Sequence, residues 1–85
     1  MNAILWQPKA LRQLRKLPGQ ANAEIRAAVS LELADLTQAR NVKALVKHAY
    51  GFRLRVGNYR LFFDFDGVVR VVSIEEVKKR DERTY

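Results

Sequence analysis

The hydrophobic period of this chain changes once, near residue 52, and that change constrains the fold more than any other feature. Before residue 40 the apolar side chains recur every three or four residues, which is typical of amphipathic helices. From Phe52 onward they alternate with polar side chains, which is typical of half-buried strands. In a chain of 85 residues this predicts a single domain over residues 1–85, of the α+β class.

The first part of the chain predicts an N-terminal strand and a short helix. Residues 2–7 form an apolar stretch that ends at Pro8. Between Pro8 and Pro18, three leucines recur at every third position with basic residues between them. This spacing predicts an amphipathic helix over residues 9–17 with a basic outer face.

A second helix is predicted from residue 19 to about residue 39, where the chain is rich in Ala, Leu and Glu. The tight break at Pro18-Gly19 favours an antiparallel two-helix hairpin. Residues 40–50 are more polar and are predicted to be a connection.

A three-stranded antiparallel meander is predicted after residue 51. The first two strands, 52–56 and 59–65, flank Gly57-Asn58, a two-residue turn signal. Asp66-Gly67 is the second turn signal, and residues 68–77 form the third strand. The helices are expected to cover the sheet face that carries Phe52, Leu54, Val56, Leu61, Phe63 and Phe65.

The first hairpin turn also predicts an arginine cluster. With a two-residue loop, Arg55 pairs with Arg60, and Arg53 and Phe62 lie on the same face, opposite the core. Opposed like charges repel each other, and guanidinium groups bind phosphate through paired hydrogen bonds. The cluster is interpreted as an anion site, and the alternative is an ordinary solvated sheet face.

Extending the register through a tight Asp66-Gly67 turn places Ser73 opposite Arg60. Glu75 is then the next residue on that face, where it could balance one of the arginines.

The charge balance predicts a polyanionic partner. The chain has 16 Lys and Arg against 9 Asp and Glu, a net charge of +7, so nucleic acid or an acidic protein is expected. The absence of Cys and the single His exclude a disulfide framework, a zinc ribbon and a multi-His metal site. No apolar run could span a bilayer and the N-terminus lacks the pattern of a signal peptide, which predicts a cytoplasmic protein.

Three segments together resemble a known family. They are the helix bracketed by Pro8 and Pro18, the segment Phe-Arg-Leu-Arg-Val-Gly-Asn-Tyr-Arg-Leu at 52–61, and the basic end Lys-Arg-Asp-Glu-Arg-Thr-Tyr at 79–85. In this order they resemble the RelE/ParE superfamily of toxin–antitoxin toxins, in particular its RelE-like branch. The middle segment is the most specific of the three.

The resemblance implies a ribosome-dependent endoribonuclease that cuts mRNA in the ribosomal A site. The RNA's own 2′-OH attacks the adjacent phosphate, so neither a metal nor another cofactor is implied. The implied partners are the ribosome, mRNA and a cognate antitoxin with an acidic, partly disordered toxin-binding segment, in a heterotetramer or larger complex. The alternatives are a ParE-type poison of DNA gyrase and a non-catalytic relative that binds RNA or ribosomes.

The resemblance also implies which residues act. Arg53 and Arg55 match paired basic residues of the family, and Arg60 matches the arginine after the turn. Either Lys79 or Arg80 matches a basic residue of the tail, and Tyr85 matches a tyrosine that stacks on a nucleotide. Further RNA contacts are expected from Lys43, Lys47, Phe62, Lys78 and Arg83.

The general base is left open by the sequence. Relatives often carry lysine where Arg53 and Arg55 stand, and arginine retains its proton too firmly to act as a base. The arginines are therefore assigned to phosphate binding and charge stabilisation. The candidates for proton transfer are Glu75, Glu82 and His48.

Overall fold

The structure is a computed structural model that describes residues 1–80 and combines two helices with a five-stranded sheet. The helices are α1 (Pro8–Arg15) and α2 (Gly19–Glu32), and a short 3₁₀ helix follows at Leu36–Gln38. The predicted α+β class is confirmed. The strands in chain order are β1 (Ala3–Trp6), β2 (Val42–Ala44), β3 (Phe52–Val56), β4 (Tyr59–Asp66) and β5 (Val71–Lys79).

The sheet is larger than the predicted meander. Its order is β1-β5-β4-β3-β2, with β1 parallel to β5 and every other pair antiparallel. β2 lies within residues 40–50, which were predicted to be a connection. The sequence missed this strand because three residues are too few to display an alternating pattern. β5 begins and ends later than the predicted strand over 68–77, so Lys78 and Lys79, which follow the predicted strand, belong to the sheet.

α1 extends along an edge of the sheet. Pro8 occupies its first turn, where the missing N–H removes no helical hydrogen bond. Of the three leucines that predicted the apolar face, Leu14 is fully buried, whereas Leu11 and Leu17 are partly buried against the core. Ala10, which the leucine spacing did not mark, is also buried. The helix ends at residue 15 rather than 17. The Gln13 side-chain oxygen accepts a hydrogen bond of 2.7 Å from Val77 N, so α1 caps part of β5 beyond the end of β1.

α2 ends earlier than predicted, at Glu32 rather than near residue 39. Asn2, just before β1, binds the two residues that follow the helix: its backbone N donates to Ala34 O at 2.8 Å, and its side chain donates to the carbonyl of the cap residue Leu33 at 3.1 Å. Asp35 then accepts from Thr37 N and begins the 3₁₀ turn. This helix end depends on a residue distant in sequence, so the local composition could not reveal it.

The core lies between the helices and one face of the sheet. Of the predicted core residues, Leu54, Leu61 and Phe63 are fully buried. Phe52 stacks on Phe63 with ring centroids 5.4 Å apart, at the margin of the core. Ile25 and Val29 of α2, with Leu33 directly after it, complete this layer. Neither helix in residues 1–80 is long and apolar enough to cross a membrane.

Glu32 joins the end of α2 to the beginning of β2. Its Oε1 accepts hydrogen bonds from Arg40 N at 3.0 Å and Asn41 N at 2.9 Å. Asn41 O in turn accepts from Arg55 N at 3.0 Å, so this contact helps to place the strand edge beside Arg55. Partial burial raises the pKa of Glu32, but the hydrogen bonds from Asn41 and Arg40 outweigh burial and lower this pKa overall.

Replacing Glu32 by Gln is expected to lower the free energy of unfolding by about 1 kcal/mol near neutral pH. Since the native pKa is lowered, the stabilisation is fully present above the usual value of 4.5 and is lost as the pH falls through the lower native value. Urea denaturation should therefore show the difference between wild type and E32Q closing in acid. A difference that stays constant from neutral to strongly acidic pH would contradict this account.

Candidate nucleic-acid interface

The β3–β4 hairpin brings the arginines together as predicted. Gly57 adopts φ +56°, a left-handed conformation that favours glycine, and this allows a two-residue turn. Arg55 pairs with Arg60, and Arg53 pairs with Phe62. The three arginines and Phe62 therefore share the sheet face opposite the core.

Two lysines on the neighbouring strands enlarge this cluster. Lys43 of β2 lies opposite Arg53, and Lys78 of β5 lies opposite Arg60. Like charges that face each other across strands are destabilising, so a bound anion would relieve the repulsion. We name this surface the basic face and define it by Lys43, Arg53, Arg55, Arg60 and Lys78.

Arg53 carries a buried hydrogen-bond donor within the basic face. Its Nε atom is buried and has no hydrogen-bond partner within residues 1–80. A buried donor without an acceptor costs free energy, which an oxygen atom of a bound anion could recover. Arg55, two residues along the same strand, is exposed and can meet the same ligand. The paired donors of guanidinium groups fit phosphate, so the face is suited to a phosphate-bearing polymer.

The register between β4 and β5 differs from the prediction by five residues at Arg60. Ser73 was predicted to lie opposite Arg60, whereas it lies opposite Asp64, and Lys78 takes its place. Four residues of this register offset arise because the turn comprises residues 67–70 rather than 66–67. The fifth arises from a β-bulge beside Phe62.

Asp66 produces the wider turn. Its side-chain Oδ1 accepts hydrogen bonds from Val68 N at 2.9 Å and Val69 N at 3.4 Å. Arg70 then adopts φ +57° before β5 begins. An Asp-Gly pair can serve as a tight loop or begin a longer one, so the dipeptide alone does not determine the register.

The bulge also changes which carboxylate faces the arginines. Glu76, rather than Glu75, lies opposite Phe62. Glu76 is buried, and its Oε1 lies 3.3 Å from Lys78 Nζ and 3.7 Å from Lys9 Nζ. The predicted register position of Glu75 beside Arg60 is wrong, and its Oε2 instead accepts a hydrogen bond of 2.8 Å from Ser73.

A signal for the bulge is present in the sequence. Apolar positions of β5 are two residues apart from Val72 to Ile74 and three apart from Ile74 to Val77. A regular strand keeps a spacing of two, so this phase change marks one extra residue. Reading it would have identified Glu76 as the carboxylate on the basic face.

The end of β5 distinguishes between Lys79 and Arg80, the two candidates for the basic residue that the family carries in its tail. Lys79 lies opposite Tyr59, on the other face from Lys78. Arg80 N donates a hydrogen bond of 2.6 Å to Asn58 O, which continues the strand pairing by one residue. Strand alternation therefore gives Arg80, rather than Lys79, a register position on the basic face. The other predicted tail residues lie outside the described residues: Glu82, Arg83 and Tyr85.

Residues 45–51, which we name the aromatic loop, connect β2 to β3 and cover part of the basic face. The His48 ring stacks on Phe62, with centroids 5.0 Å apart and planes inclined by 11°. Tyr50 is tilted against both rings. Phe62, predicted to contact RNA, is only 8% exposed, whereas His48 above it is exposed. Lys47, also predicted to contact RNA, precedes His48 and is exposed with φ +55°.

Hydrogen bonds donated by backbone amides hold the aromatic loop in place. Leu45 N donates to Gly51 O at 2.9 Å, and Gly51 N donates to Asp64 Oδ1 at 2.7 Å. Tyr50 N donates to His48 Nδ1 at 3.1 Å, which orients the imidazole ring. A Cβ atom at residue 51 would lie 3.3 Å from Asp64 Oδ1, so glycine keeps this approach close.

Replacing Asp64 by Ala is expected to loosen the aromatic loop, because Gly51 N then loses its acceptor. The cost should be about 1 kcal/mol in local opening, since the acceptor is a carboxylate on an exposed strand position. Hydrogen exchange of the Gly51 amide should become about fivefold faster in D64A. D64N retains a side-chain oxygen and serves as the control; equal acceleration in both variants would contradict the assigned contact.

Within residues 1–80, no group of three or more His, Asp or Glu side chains lies close enough together to hold a metal ion.

A family model described as "ParE toxin of type II toxin-antitoxin system, parDE" matches residues 4–83. The chain belongs to this family. This ParE-family chain is therefore a member of the RelE/ParE superfamily and the toxin of a type II toxin–antitoxin module. The family resemblance found in the sequence is confirmed. No match was found among the curated proteins.

Solved structures of RelE toxins share the fold of this ParE-family toxin. A chain of the toxin–antitoxin complex RelBE2 from Mycobacterium tuberculosis is 28% identical, with a TM-score of 0.75, over 93% of this chain and 98% of that one. The isolated Escherichia coli RelE toxin is 18% identical, with a TM-score of 0.79, over 96% and 87%. A chain of the RelE-RelB complex from Pyrococcus horikoshii is 20% identical, with a TM-score of 0.70, over 95% and 97%.

Proposed function

We propose that this toxin is a ribosome-dependent endoribonuclease that cuts mRNA in the ribosomal A site. The observation that carries the proposal is the basic face, where Arg55 and Arg60 oppose each other beside Arg53 Nε, a buried donor with no acceptor among residues 1–80. Cations that lie side by side on neighbouring strands can bind one phosphate together, and guanidinium groups do so through paired hydrogen bonds. Such a toxin acts in the cytoplasm, where ribosomes and mRNA are found.

The proposed reaction uses a nucleophile supplied by the RNA. The 2′-OH loses its proton and attacks the adjacent phosphorus, and the bond from phosphorus to the 5′-oxygen breaks as that oxygen gains a proton. The products are a 2′,3′-cyclic phosphate and a 5′-OH. Negative charge accumulates on the phosphorane, and cations held in place before the reaction stabilise it. We assign this role to Arg53, Arg55 and Arg60, with Arg80 as the basic residue contributed by the tail.

Proton transfer requires groups other than the arginines, because guanidinium groups do not release their protons in proteins. His48 is exposed beside the basic face, and histidine is the side chain most often suited to proton transfer near neutral pH. Glu76 is held by two lysines, which favours a positioning role for this carboxylate. Glu82 and His48 stay the candidates for base and acid, and Tyr85 the candidate for stacking on a nucleotide. Glu75 loses its candidacy, because that rested on a register position beside Arg60 that the β4–β5 pairing does not give it.

A cognate antitoxin is the proposed protein partner, in a heterotetramer or larger complex. Related RelE toxins from Mycobacterium tuberculosis and Pyrococcus horikoshii were solved in complexes with antitoxins. The net charge of +7 and the basic face favour an acidic antitoxin segment, partly disordered when free, that covers the arginines. Such a segment would compete directly with mRNA.

The second candidate function is poisoning of DNA gyrase. It is favoured by the match to the ParE family model and by arginine at positions 53 and 55, where a nuclease could use lysine as a base. A non-catalytic protein that binds ribosomes is the remaining alternative. The same fold serves these functions, so the fold itself does not decide between them.

Mapping RNA 5′ ends after induction of the toxin tests the proposal. We expect new ends on a reporter mRNA within its translated region, phased with the codons, and no induction of the SOS response. An SOS response without new mRNA ends would support gyrase poisoning. Growth arrest without either signal would support ribosome binding without cleavage.

A further inference from the structure

The aromatic loop places a second feature beside the cations of the basic face. Phe62 lies in the cross-strand row between Arg53 and Glu76, and His48 covers its ring almost in parallel. Phe62 is buried and His48 is exposed, so the imidazole forms the outer layer of the stack.

We propose that His48 is a stacking platform for one nucleobase of the bound RNA, an inference that rests on the proposed function. Bases of single-stranded RNA stack on aromatic side chains, including histidine, while neighbouring phosphates meet cations. His48 provides the flat surface. Arg53, next to Phe62 in the same cross-strand row, and Lys43, on the far side of Arg53, provide the cations.

The ring is held in position before any ligand binds. Phe62 supports the imidazole from below, Tyr50 N donates to Nδ1, and Asp64 holds the end of the loop through Gly51 N. A platform ordered in advance loses little conformational freedom when a base stacks on it, which favours binding. Stacking recognises any base, so the platform adds affinity without specifying a sequence.

Aromatic and aliphatic replacements of His48 form a matched pair that tests the platform. H48F and H48L both lose the Nδ1 acceptor and both place an apolar side chain against Phe62, but only H48F keeps a flat ring. The probe is a short single-stranded 2′-O-methyl RNA, which lacks the attacking 2′-OH and cannot be cut. We expect H48L to weaken its binding about tenfold by fluorescence anisotropy and H48F to bind within about twofold of wild type.

An abasic oligonucleotide of the same length separates stacking from phosphate binding. H48L should bind this probe as wild type does, and the salt dependence of RNA binding should keep its slope. R55A should instead weaken binding to both probes. It should also reduce the salt-dependence slope by about the amount expected for one phosphate contact. Thermal unfolding of each variant verifies that it is folded.

Three results would overturn the inference: equal losses in H48F and H48L, an equal effect of H48L on the abasic probe, or wild-type binding that does not depend on bases. The proposed nuclease function has a separate test, because it concerns cutting of mRNA on ribosomes. If the toxin cuts mRNA but H48F and H48L lose the same affinity for the RNA probe, only the platform is refuted. Base-dependent binding without cleavage would refute only the nuclease.

Discussion

Replacing Arg60 by Ala is expected to reduce mRNA cleavage by about 10²- to 10³-fold and to abolish growth arrest on induction. Arg60 lies at the centre of the basic face, opposite Arg55 on one side and Lys78 on the other. Its guanidinium group is therefore well placed to meet charge that develops on the phosphorane. The rate of cleavage on ribosomes with mRNA in the A site is the direct measurement.

Two further variants test whether position and shape, rather than total charge, account for the loss. R12A removes the same charge from the exposed surface of α1 and should cleave within about twofold of wild type. R60K keeps the charge but loses the paired donors, so its rate should lie between those of wild type and R60A. Thermal unfolding of R60A verifies its fold, and full toxicity of a folded R60A would count strongly against the proposed mechanism.

Replacing Phe63 by Ala is expected to lower the free energy of unfolding by about 3–5 kcal/mol. Phe63 is fully buried in the centre of β4 and stacks on Phe52 with ring centroids 5.4 Å apart. A domain of this size has a total stability of about 4–13 kcal/mol, so the variant loses a large share of it. Urea or thermal denaturation gives the measurement, and a drop in Tm of at least about 12 °C is expected.

Phe65 provides a matched control on the same strand and the same face. It is only partly buried, so F65A should cost less than half as much as F63A. Equal losses in the two variants would mean that the core is not centred on Phe63.

Local patterns predicted the central hairpin well. Gly57-Asn58 determined the β3–β4 register, and with it the opposition of Arg55 and Arg60. The alternating apolar residues also identified the core face correctly. These features depend on residues close together in sequence, where turn geometry and side-chain alternation act directly.

The features that the sequence missed depend on contacts between distant segments. β1 pairs in parallel with β5, and Asn2 completes the end of α2. The position of Lys78 opposite Arg60 required both the wider Asp66 turn and the bulge. Only the bulge left a local signal, namely the three-residue spacing between Ile74 and Val77.

Only the part of the candidate site that depends on local contacts was predicted from the sequence. Arg53, Arg55 and Arg60 share one hairpin, so one turn signal was enough to bring them together. The burial of Phe62 beneath His48 depends on the path of a seven-residue loop and on its anchor at Asp64. No periodicity describes such a loop, so the sequence did not predict that Phe62 is buried and that His48 is the exposed ring above it.

The most direct test is to add the purified toxin to ribosomes that carry a defined mRNA with an empty A site. We expect cutting within the A-site codon, with one product ending in a 2′,3′-cyclic phosphate and the other beginning with a 5′-OH, and strongly reduced cutting with R60A. DNA supercoiling by gyrase, measured in parallel, should be unaffected. Intact mRNA together with inhibited gyrase would contradict the account.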